Sequence, residues 1–191
     1  MSQFTLITGG ARSGKSRFAE LLAAHAKCPV IYIATAQIWD EEMALRVKKH
    51  QQQRPSTWRL IEEPRNIRDT LLQLKDEDGV ILLDCVTLWL TNLLLADGDL
   101  FNNELEPQIL DIVKDVAQLA REIKPQVIFV SNEVGQGIVP EYPLSRAYRD
   151  LAGRSNQILA QSADQVYMVV AGFPMEIKQS GEKLLASLLK E

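Results

Sequence analysis

The sequence predicts a single α/β domain with an open, mostly parallel β-sheet and helices on both of its faces. Two observations support this prediction. Segments with helical periodicity alternate with short β-rich runs along the 191 residues, the order expected for a parallel sheet with crossover helices. The β-rich runs are also continuously apolar rather than alternating, which is typical of strands buried on both sides.

Each predicted strand is a short run of apolar residues, and the runs are Phe4–Thr8, Val30–Ala34, Trp58–Ile61, Gly79–Asp84, Val127–Val130 and Gln165–Val170. The segments between and after them have helical patterns: Ser16–Ala26, Gln37–Gln53, Ile67–Leu74, Val86–Leu95, Leu105–Ile123, Leu144–Ser162 and a short amphipathic tail. Acidic residues begin the Gln37–Gln53 segment and Lys48 and Lys49 lie near its end, as the helix dipole favours. Asp97–Asn103 is the best candidate for a loop, and Asn132–Pro143, with two Gly and two Pro, for an irregular functional loop.

The amino-acid composition and net charge of the chain indicate which class of protein it belongs to. Apolar residues make up 46% and charged residues 24% of the chain, the balance of an ordinary globular protein. No apolar run approaches the about 20 residues needed to cross a bilayer, and no signal peptide is evident. The net charge of −4 gives no general attraction to nucleic acid. We therefore expect a cytoplasmic protein with two reduced, buried cysteines, no nucleic-acid partner and no stable membrane insertion.

A phosphate-binding loop is the strongest local signal. The pattern G-x-x-x-x-G-K-[ST] is matched by Gly9, Gly10, Ala11, Arg12, Ser13, Gly14, Lys15 and Ser16. Glycines let the backbone N–H groups and the following helix N-terminus approach anionic oxygens. The lysine reaches the β- and γ-phosphates, and the hydroxyl of Ser16 can bind Mg²⁺. Because the motif follows a predicted strand and opens a predicted helix, we interpret it as a P-loop.

Asp84 closes the predicted strand Gly79–Asp84. Carboxyl ends of parallel strands form the edge where ligands bind, and in P-loop proteins a carboxylate there holds Mg²⁺. The alternative is that Asp84 caps the helix predicted from Val86. The P-loop favours the metal role because it requires a partner of this kind.

His50 is one of only two histidines. On the predicted helix it shares the apolar face of Met43 and Val47, which is the usual position of a structural core residue. Arg46 and Arg54 lie one turn before and after it. Their positive charges disfavour imidazolium and keep the ring in its nucleophilic, neutral form. The helix C-terminus has the opposite effect, so a structural and a catalytic role both stay open on these residues alone.

Several blocks occur in an order that resembles one family. Besides the P-loop they are Tyr32–Gln37, R-x-x-x-H-x-x-x-R-P over Arg46–Pro55, Asp84–Asn92, S-N-E-V-G from Ser131, G-I-V-P from Gly137 and R-D-x-x-G-R-x-N-Q over Arg149–Gln157. Together these resemble the bifunctional adenosylcobinamide kinase / adenosylcobinamide-phosphate guanylyltransferases of cobalamin biosynthesis. The resemblance covers roughly residues 3–178, so that residues from about 180 form a C-terminal helical extension of one P-loop domain spanning 1–191.

The resemblance implies a three-layer, RecA-like fold, a homotrimer and a two-step reaction. ATP or GTP phosphorylates adenosylcobinamide with Mg²⁺; a histidine at the position of His50 then takes GMP from GTP and passes it to the phosphorylated corrinoid. It also implies nucleotide contacts by the P-loop and by a further group, namely Ala34, Thr35, Ala36, Gln51, Gln52, Gln53, Arg54, Glu62 and Asp84. The resemblance also implies that Ser16 and Asp84 contact the metal and that Lys15 and His50 are catalytic. Relatives often have glutamate where this chain has Asp84, which keeps the carboxylate.

Two rival functions share the P-loop. One is a kinase for another small metabolite, with His50 structural; it predicts no covalent nucleotide adduct. The other is a P-loop ATPase acting as a motor or switch, which predicts hydrolysis stimulated by a protein or nucleic-acid partner. The absence of a basic face in the sequence disfavours the second.

Overall fold

The fold is known from a computed structural model that describes residues 3–37, 41, 55–96 and 105–189. Its strands join one seven-stranded sheet in the order β3-β2-β4-β5-β1-β6-β7. The strands are β1 (Phe4–Thr8), β2 (Val30–Ala34), β3 (Arg59–Glu62), β4 (Val80–Asp84), β5 (Gln126–Val130), β6 (Gln165–Val170) and β7 (Phe173–Glu176). Strands β1 to β6 pair in parallel, and β7 is antiparallel to β6.

The described helices cover both faces of this sheet. They are α1 (Lys15–His25), α2 (Ile67–Gln73), α3 (Val86–Leu94), α4 (Leu105–Glu122), α5 (Pro143–Ser162) and α6 (Lys178–Leu188). Alternate residues of the central strands belong to two separate buried clusters, because successive side chains of a strand point to opposite faces. One cluster includes Ile7 and Tyr32 and packs against α1; the other includes Leu6 and Ile33 and packs against α2 to α5. The predicted α/β sheet with helices on both faces is confirmed.

Where the predicted strands and helices can be compared with the structure, their boundaries differ by one or two residues. Strand β7 was not predicted, because Pro174 and exposed residues give it no buried-strand pattern. Most of the helix expected at Gln37–Gln53, together with the loop expected at Asp97–Asn103, lies outside the described residues. Only one cysteine is buried as expected: Cys85 is, whereas Cys28 is exposed. None of the described helices is long and apolar enough to cross a membrane.

The C-terminal helix α6 is tied to the fold at its first residue. The Lys178 ammonium group donates hydrogen bonds to the backbone carbonyls of Ala160, Gln161 and Ala163 at the end of α5. Those carbonyls have no partner within their own helix, so a cation there is favourable. The rest of α6 buries no side chain, and its leucines, among them Leu184, are exposed.

Candidate active site

The glycine-rich segment forms a tight loop between β1 and α1, as the sequence predicts. The amide of Ser13 donates to the carbonyl of Gly10 at 3.2 Å, and Gly14 takes a left-handed conformation with φ 96° before the helix begins. Gly9 has no room for a side chain, since a Cβ there would lie 2.5 Å from the carbonyl oxygen of Val169. These two glycines therefore allow the loop its shape.

Lys15 is the first residue of α1 and is buried. Its ammonium group donates to the carbonyl of Gly10 at 3.1 Å, across the loop. The first turn of α1 contains no acidic residue, so the positive end of the helix dipole faces the loop uncompensated. This is the arrangement that binds phosphate.

Two polar groups, one at the end of β1 and one in the loop, suit a ligand. The hydroxyl oxygens of Thr8 and Ser13 are buried and make no hydrogen bond within the part of the chain that the structure describes. Buried hydroxyls normally have a partner, and leaving one without costs about 1–3 kcal/mol. A bound phosphate provides acceptor oxygens for such groups.

Neighbouring loops fix the P-loop from both sides. The amide of Glu133, after β5, donates to the carbonyl of Gly9 at 3.0 Å. On the other side, the amide of Gly172, in the turn between β6 and β7, donates to the carbonyl of Ser13 at 2.8 Å. The loop is thus held between the ends of the two strands that flank β1.

Three of the predicted nucleotide contacts lie side by side at the carboxyl edge of the sheet. Ala34 at the end of β2 is opposite Glu62 of β3 on one side and Asp84 of β4 on the other. Asp84 is in turn opposite Val130 of β5, which pairs with Ile7 of β1, two residues before the P-loop. The register therefore brings residues from distant parts of the sequence to one edge.

The carboxylate of Asp84 is held by a tyrosine and caps no helix. Tyr32, only 3% exposed, donates its hydroxyl to Oδ2 of Asp84 at 3.1 Å. The cap position of α3 is Cys85, and no side chain makes a capping hydrogen bond there. The helix-cap alternative for Asp84 therefore has no support in the structure.

Lys15 and Asp84 interact electrostatically, so the two residues belong to one site. Burial lowers the pKa of Lys15 below its usual value, while its electrostatic interactions with Cys85 and Asp84 oppose that shift. Burial, followed by the charge of Asp84, raises the pKa of the Cys85 thiol to about 11. At neutral pH this thiol is protonated and is not a nucleophile.

Thr35 is fully buried behind the same edge. Its hydroxyl donates to the carbonyl of Cys85 at 2.8 Å and accepts from the amide of Cys85 at 2.9 Å. Its own carbonyl accepts a hydrogen bond from the side-chain amide of Asn92 at 2.8 Å. Thr35 thereby ties the end of β2 to the start of α3, and its contact with nucleotide stays a prediction.

A polar network around Thr87 connects α3 with β5 and α5. The Thr87 hydroxyl lies 2.9 Å from the Cys85 sulfur and accepts from the side-chain amide of Asn132 at 2.6 Å. The carbonyl of Thr87 accepts from the hydroxyl of Tyr148 at 3.2 Å. Asn156 completes the network: it accepts from the Ser131 hydroxyl at 2.6 Å and donates to the Asn132 carbonyl at 3.1 Å.

Sequence reasoning assigned no role to Tyr32, Thr87, Asn132 or Asn156. Each lies within one of the sequence blocks that carry the family resemblance. Membership of such a block is the signal that could have identified these residues. Of the predicted site residues, five lie outside the described residues, so the structure does not place them: His50, Gln51, Gln52, Gln53 and Arg54.

The residues present fit a magnesium ion that is bound partly by protein oxygens and partly by phosphate oxygens. In the described ranges, no group of three His, Cys, Asp or Glu side chains is arranged to hold a metal by itself. Mg²⁺ in phosphoryl-transfer sites is bound by one or two protein oxygens together with substrate phosphates, rather than by an all-protein cage. The hydroxyl of Ser16, beside the P-loop lysine, and the carboxylate of Asp84 are protein oxygens that can serve as such metal ligands.

Comparison with known proteins decides the family. The family described as cobinamide kinase / cobinamide phosphate guanyltransferase matches residues 5–177. The chain belongs to this family. It is accordingly a transferase of cobalamin biosynthesis with cobinamide kinase and cobinamide phosphate guanylyltransferase activities, and the resemblance seen in the sequence is confirmed.

Relatives match this cobinamide kinase / guanylyltransferase along almost its whole length. The bifunctional adenosylcobalamin biosynthesis protein CobP of Pseudomonas aeruginosa is 46% identical over 180 residues, covering 94% of this chain and 98% of its own. The corresponding protein CobU of Salmonella typhimurium is also 46% identical over 180 residues, covering 91% and 98%. Among solved structures, an ATPase of a bacterial type III secretion system matches with a TM-score of 0.53 at 14% identity. That match covers 96% of this chain and 54% of the ATPase, so the chain spans about half its length and the likeness concerns the P-loop fold alone.

Proposed function

We propose that the two reactions of this transferase use the carboxyl edge of the sheet, with the P-loop holding the triphosphate of the phosphate donor. The observation that supports this is the juxtaposition of the P-loop lysine with Asp84 in a chain that belongs to the family. In the first reaction a hydroxyl oxygen of adenosylcobinamide forms a bond to the γ-phosphorus of ATP or GTP. The bond to the bridging oxygen breaks, a nucleoside diphosphate leaves, and the hydroxyl proton is released.

Lys15 and the loop stabilise the charge that develops in this transfer. The ammonium group lies across the loop, where it donates to the Gly10 carbonyl, and it can move from there to the β- and γ-phosphate oxygens. The backbone amides of Gly9–Ser16 and the N-terminus of α1 add partial positive charge in fixed positions, which is how most phosphoryl-transfer sites lower the barrier. Ser16 and Asp84 are the residues that would hold Mg²⁺, and the ion would neutralise phosphate charge when bound.

The second reaction uses His50 as a nucleophile. Its ring nitrogen forms a bond to the α-phosphorus of GTP, and the bond from that phosphorus to the bridging oxygen breaks, releasing pyrophosphate. A phosphate oxygen of adenosylcobinamide phosphate then attacks the same phosphorus, the P–N bond breaks, and adenosylcobinamide-GDP forms with His50 regenerated. A neutral imidazole both attacks and leaves readily. The nucleotide contacts assigned above to Ala34–Ala36, Gln51–Arg54 and Glu62 belong to this proposal, as do the homotrimer and the cytoplasmic location.

Intact-protein mass spectrometry tests the covalent step directly. Incubation with GTP and Mg²⁺ should add the mass of one GMP to the chain, and the adduct should be labile in acid and stable in alkali, as a phosphoramidate is. Kinase activity without any adduct would support the rival in which the enzyme is a kinase and His50 is structural.

Asp84→Asn tests the metal assignment. We expect the Mg²⁺ concentration for half-maximal kinase activity to rise by about 10-fold to 100-fold, because an amide is a much weaker magnesium ligand than a carboxylate. Nucleotide affinity measured without metal should change little. Kinase rates over a Mg²⁺ titration check the first value, and titration calorimetry of nucleotide binding with and without Mg²⁺ checks the second; equal losses of affinity in the two conditions would contradict a metal role.

Tyr32→Phe tests whether the hydrogen bond to Oδ2 orients that carboxylate. Loss of a group that orients a metal ligand typically weakens metal binding about 10-fold to 100-fold, so we expect a shift near the lower end in the same Mg²⁺ titration. The matched control is Tyr167→Phe, whose hydroxyl donates to Gln165 at 3.4 Å on β6. A control variant that shifted the Mg²⁺ dependence as much as Tyr32→Phe would remove this interpretation.

A further inference from the structure

The loop between β5 and α5, residues 131–142, is anchored at both ends and exposes apolar side chains in its second half. Val134 near its start and Leu144 just after its end pack against the buried core. Between these anchors, Ile138 is 96% exposed, Val139 63% and Tyr142 71%. Neighbouring apolar side chains displayed by an anchored loop indicate a binding site.

Hydrogen bonds give this loop a defined course. The backbone amide of Gly135 donates to Oε1 of Glu133 at 2.9 Å. Further along, the guanidinium group of Arg146 on α5 donates to the backbone carbonyls of Pro140 and Glu141. The exposed side chains therefore belong to a segment that is already held in place, so a ligand that binds them has little chain to order.

The same loop is joined to the P-loop at its start. The amide of Ser131 donates to the carbonyl of Ile7 on β1 at 2.8 Å, and the next hydrogen bond of this kind is the one from Glu133 to Gly9. Ile138 follows Glu133 by five residues, which span at most about 18 Å even when fully extended. A large ligand that contacts the exposed side chains can therefore extend a side arm to the P-loop.

The charge of the loop favours one kind of ligand. Residues 131–142 include two glutamates, Glu133 and Glu141, and no lysine or arginine, and the cation beside them, Arg146, is bonded to carbonyls of the loop itself. Such a segment disfavours a polyphosphate and favours a neutral or cationic ligand. Adenosylcobinamide is of the second kind, because its corrin ring carries methyl groups, uncharged amide arms and a positive charge at cobalt.

We propose that Ile138, Val139 and Tyr142 bind the corrin ring of adenosylcobinamide, while the side arm that ends in the reacting hydroxyl extends to the P-loop. Methyl groups at the edge of the ring pack on the two aliphatic side chains. The Tyr142 ring adds apolar surface, and its hydroxyl can form a hydrogen bond with an amide arm. This inference rests on the proposed function of the P-loop and adds the binding site for the second substrate.

Adenosylcobinamide binding and kinase kinetics of the full chain test this site. Ile138→Ala should raise both the KM for adenosylcobinamide and its Kd in titration calorimetry about 10-fold or more, the loss expected when a branched apolar side chain no longer contacts its ligand. The kcat should stay nearly unchanged, because the lost contact stabilises the ground state and the transition state equally. The affinity for the β,γ-imido analogue of ATP with Mg²⁺ should also be unchanged.

Two further variants make the comparison specific. Ile138→Val keeps most of the apolar surface and should raise the KM for adenosylcobinamide by no more than about 4-fold, the effect of one methylene group. Leu189→Ala is the matched control, since it removes a side chain that is 86% exposed and lies just after α6. This control should change neither the corrinoid constants nor the nucleotide affinity.

Three results would overturn the corrinoid site. They are a native affinity of Ile138→Ala for adenosylcobinamide, an equal loss of affinity for the nucleotide analogue, and a smaller oligomer in analytical ultracentrifugation. The last would identify the loop as a contact between copies of the chain. Lys15→Ala separates this failure from failure of the P-loop function. If it loses kinase activity while Ile138→Ala binds the corrinoid normally, only the corrinoid site is wrong; if it keeps the native kinase rate, the P-loop assignment itself is contradicted.

Discussion

Replacing Lys15 by alanine should lower the rate of cobinamide phosphorylation by about 10³-fold or more. Cationic groups that contact the transferring phosphoryl group contribute about 10³–10⁵ in rate, and Lys15 lies in the P-loop with its ammonium group across the glycine turn. Initial rates at saturating nucleotide and corrinoid measure the effect. A variant that retains more than a tenth of the native rate would show that Lys15 is not the phosphate lysine.

The same substitution should lower activity without lowering stability much. Because burial lowers the pKa of Lys15, the folded state disfavours its charge, and removal of the charge relieves that cost. We therefore expect a melting temperature close to that of the native chain. Lys114→Ala is the matched control: Lys114 is an exposed lysine of α4, paired with Asp111 at 2.7 Å, and its loss should leave the rate unchanged.

His50→Asn and His50→Ala should abolish guanylyl transfer and the GMP adduct together, while phosphorylation of adenosylcobinamide largely survives. The kinase step has no covalent protein intermediate and depends on the P-loop and Mg²⁺. Guanylyl transfer requires a side chain that leaves as readily as it attacks, and neither an amide nor a methyl group does so. Both activities and the adduct mass are measured on the same preparation.

His25 provides the control for this experiment, since it is the only other histidine and lies exposed at the end of α1. His25→Asn should keep the adduct and both activities. If His50 were a core residue, its truncation would cost about 2–5 kcal/mol of stability, as other large-to-small core changes do. Both activities would then fall in parallel with a lowered melting temperature, and the nucleophile assignment would be wrong.

The fold was predictable because its strongest signals are local. Buried strands such as β1 and β4 are continuous apolar runs, and an amphipathic helix such as α4 shows its period over 18 residues. Strand β7 has neither signal. Its residues are mostly exposed, it contains Pro174, and it is held by pairing with β6, so only the three-dimensional structure identifies the hairpin.

The site was predictable in part, for a related reason. The P-loop is contiguous in sequence, and its chemistry follows from its glycines, Lys15 and Ser16. The alignment of Glu62, Ala34 and Asp84 depends on strand register, and the bond from Tyr32 to Asp84 joins residues 52 positions apart. Contacts between such distant residues leave no periodic pattern in the sequence, so the sequence alone does not predict them. For the segment that contains His50, the role stays a prediction from the family.

The family match ends one residue before Lys178, which helps to hold the C-terminal part of the fold together. The match stops at residue 177, and the next residue, Lys178, is the donor for three carbonyl oxygens at the close of α5. That helix also contributes Tyr148 and Asn156 to the network behind the nucleotide edge. A chain shortened to the matched residues would lose this anchor, and the disturbance would begin at the end of the helix that supports the active site.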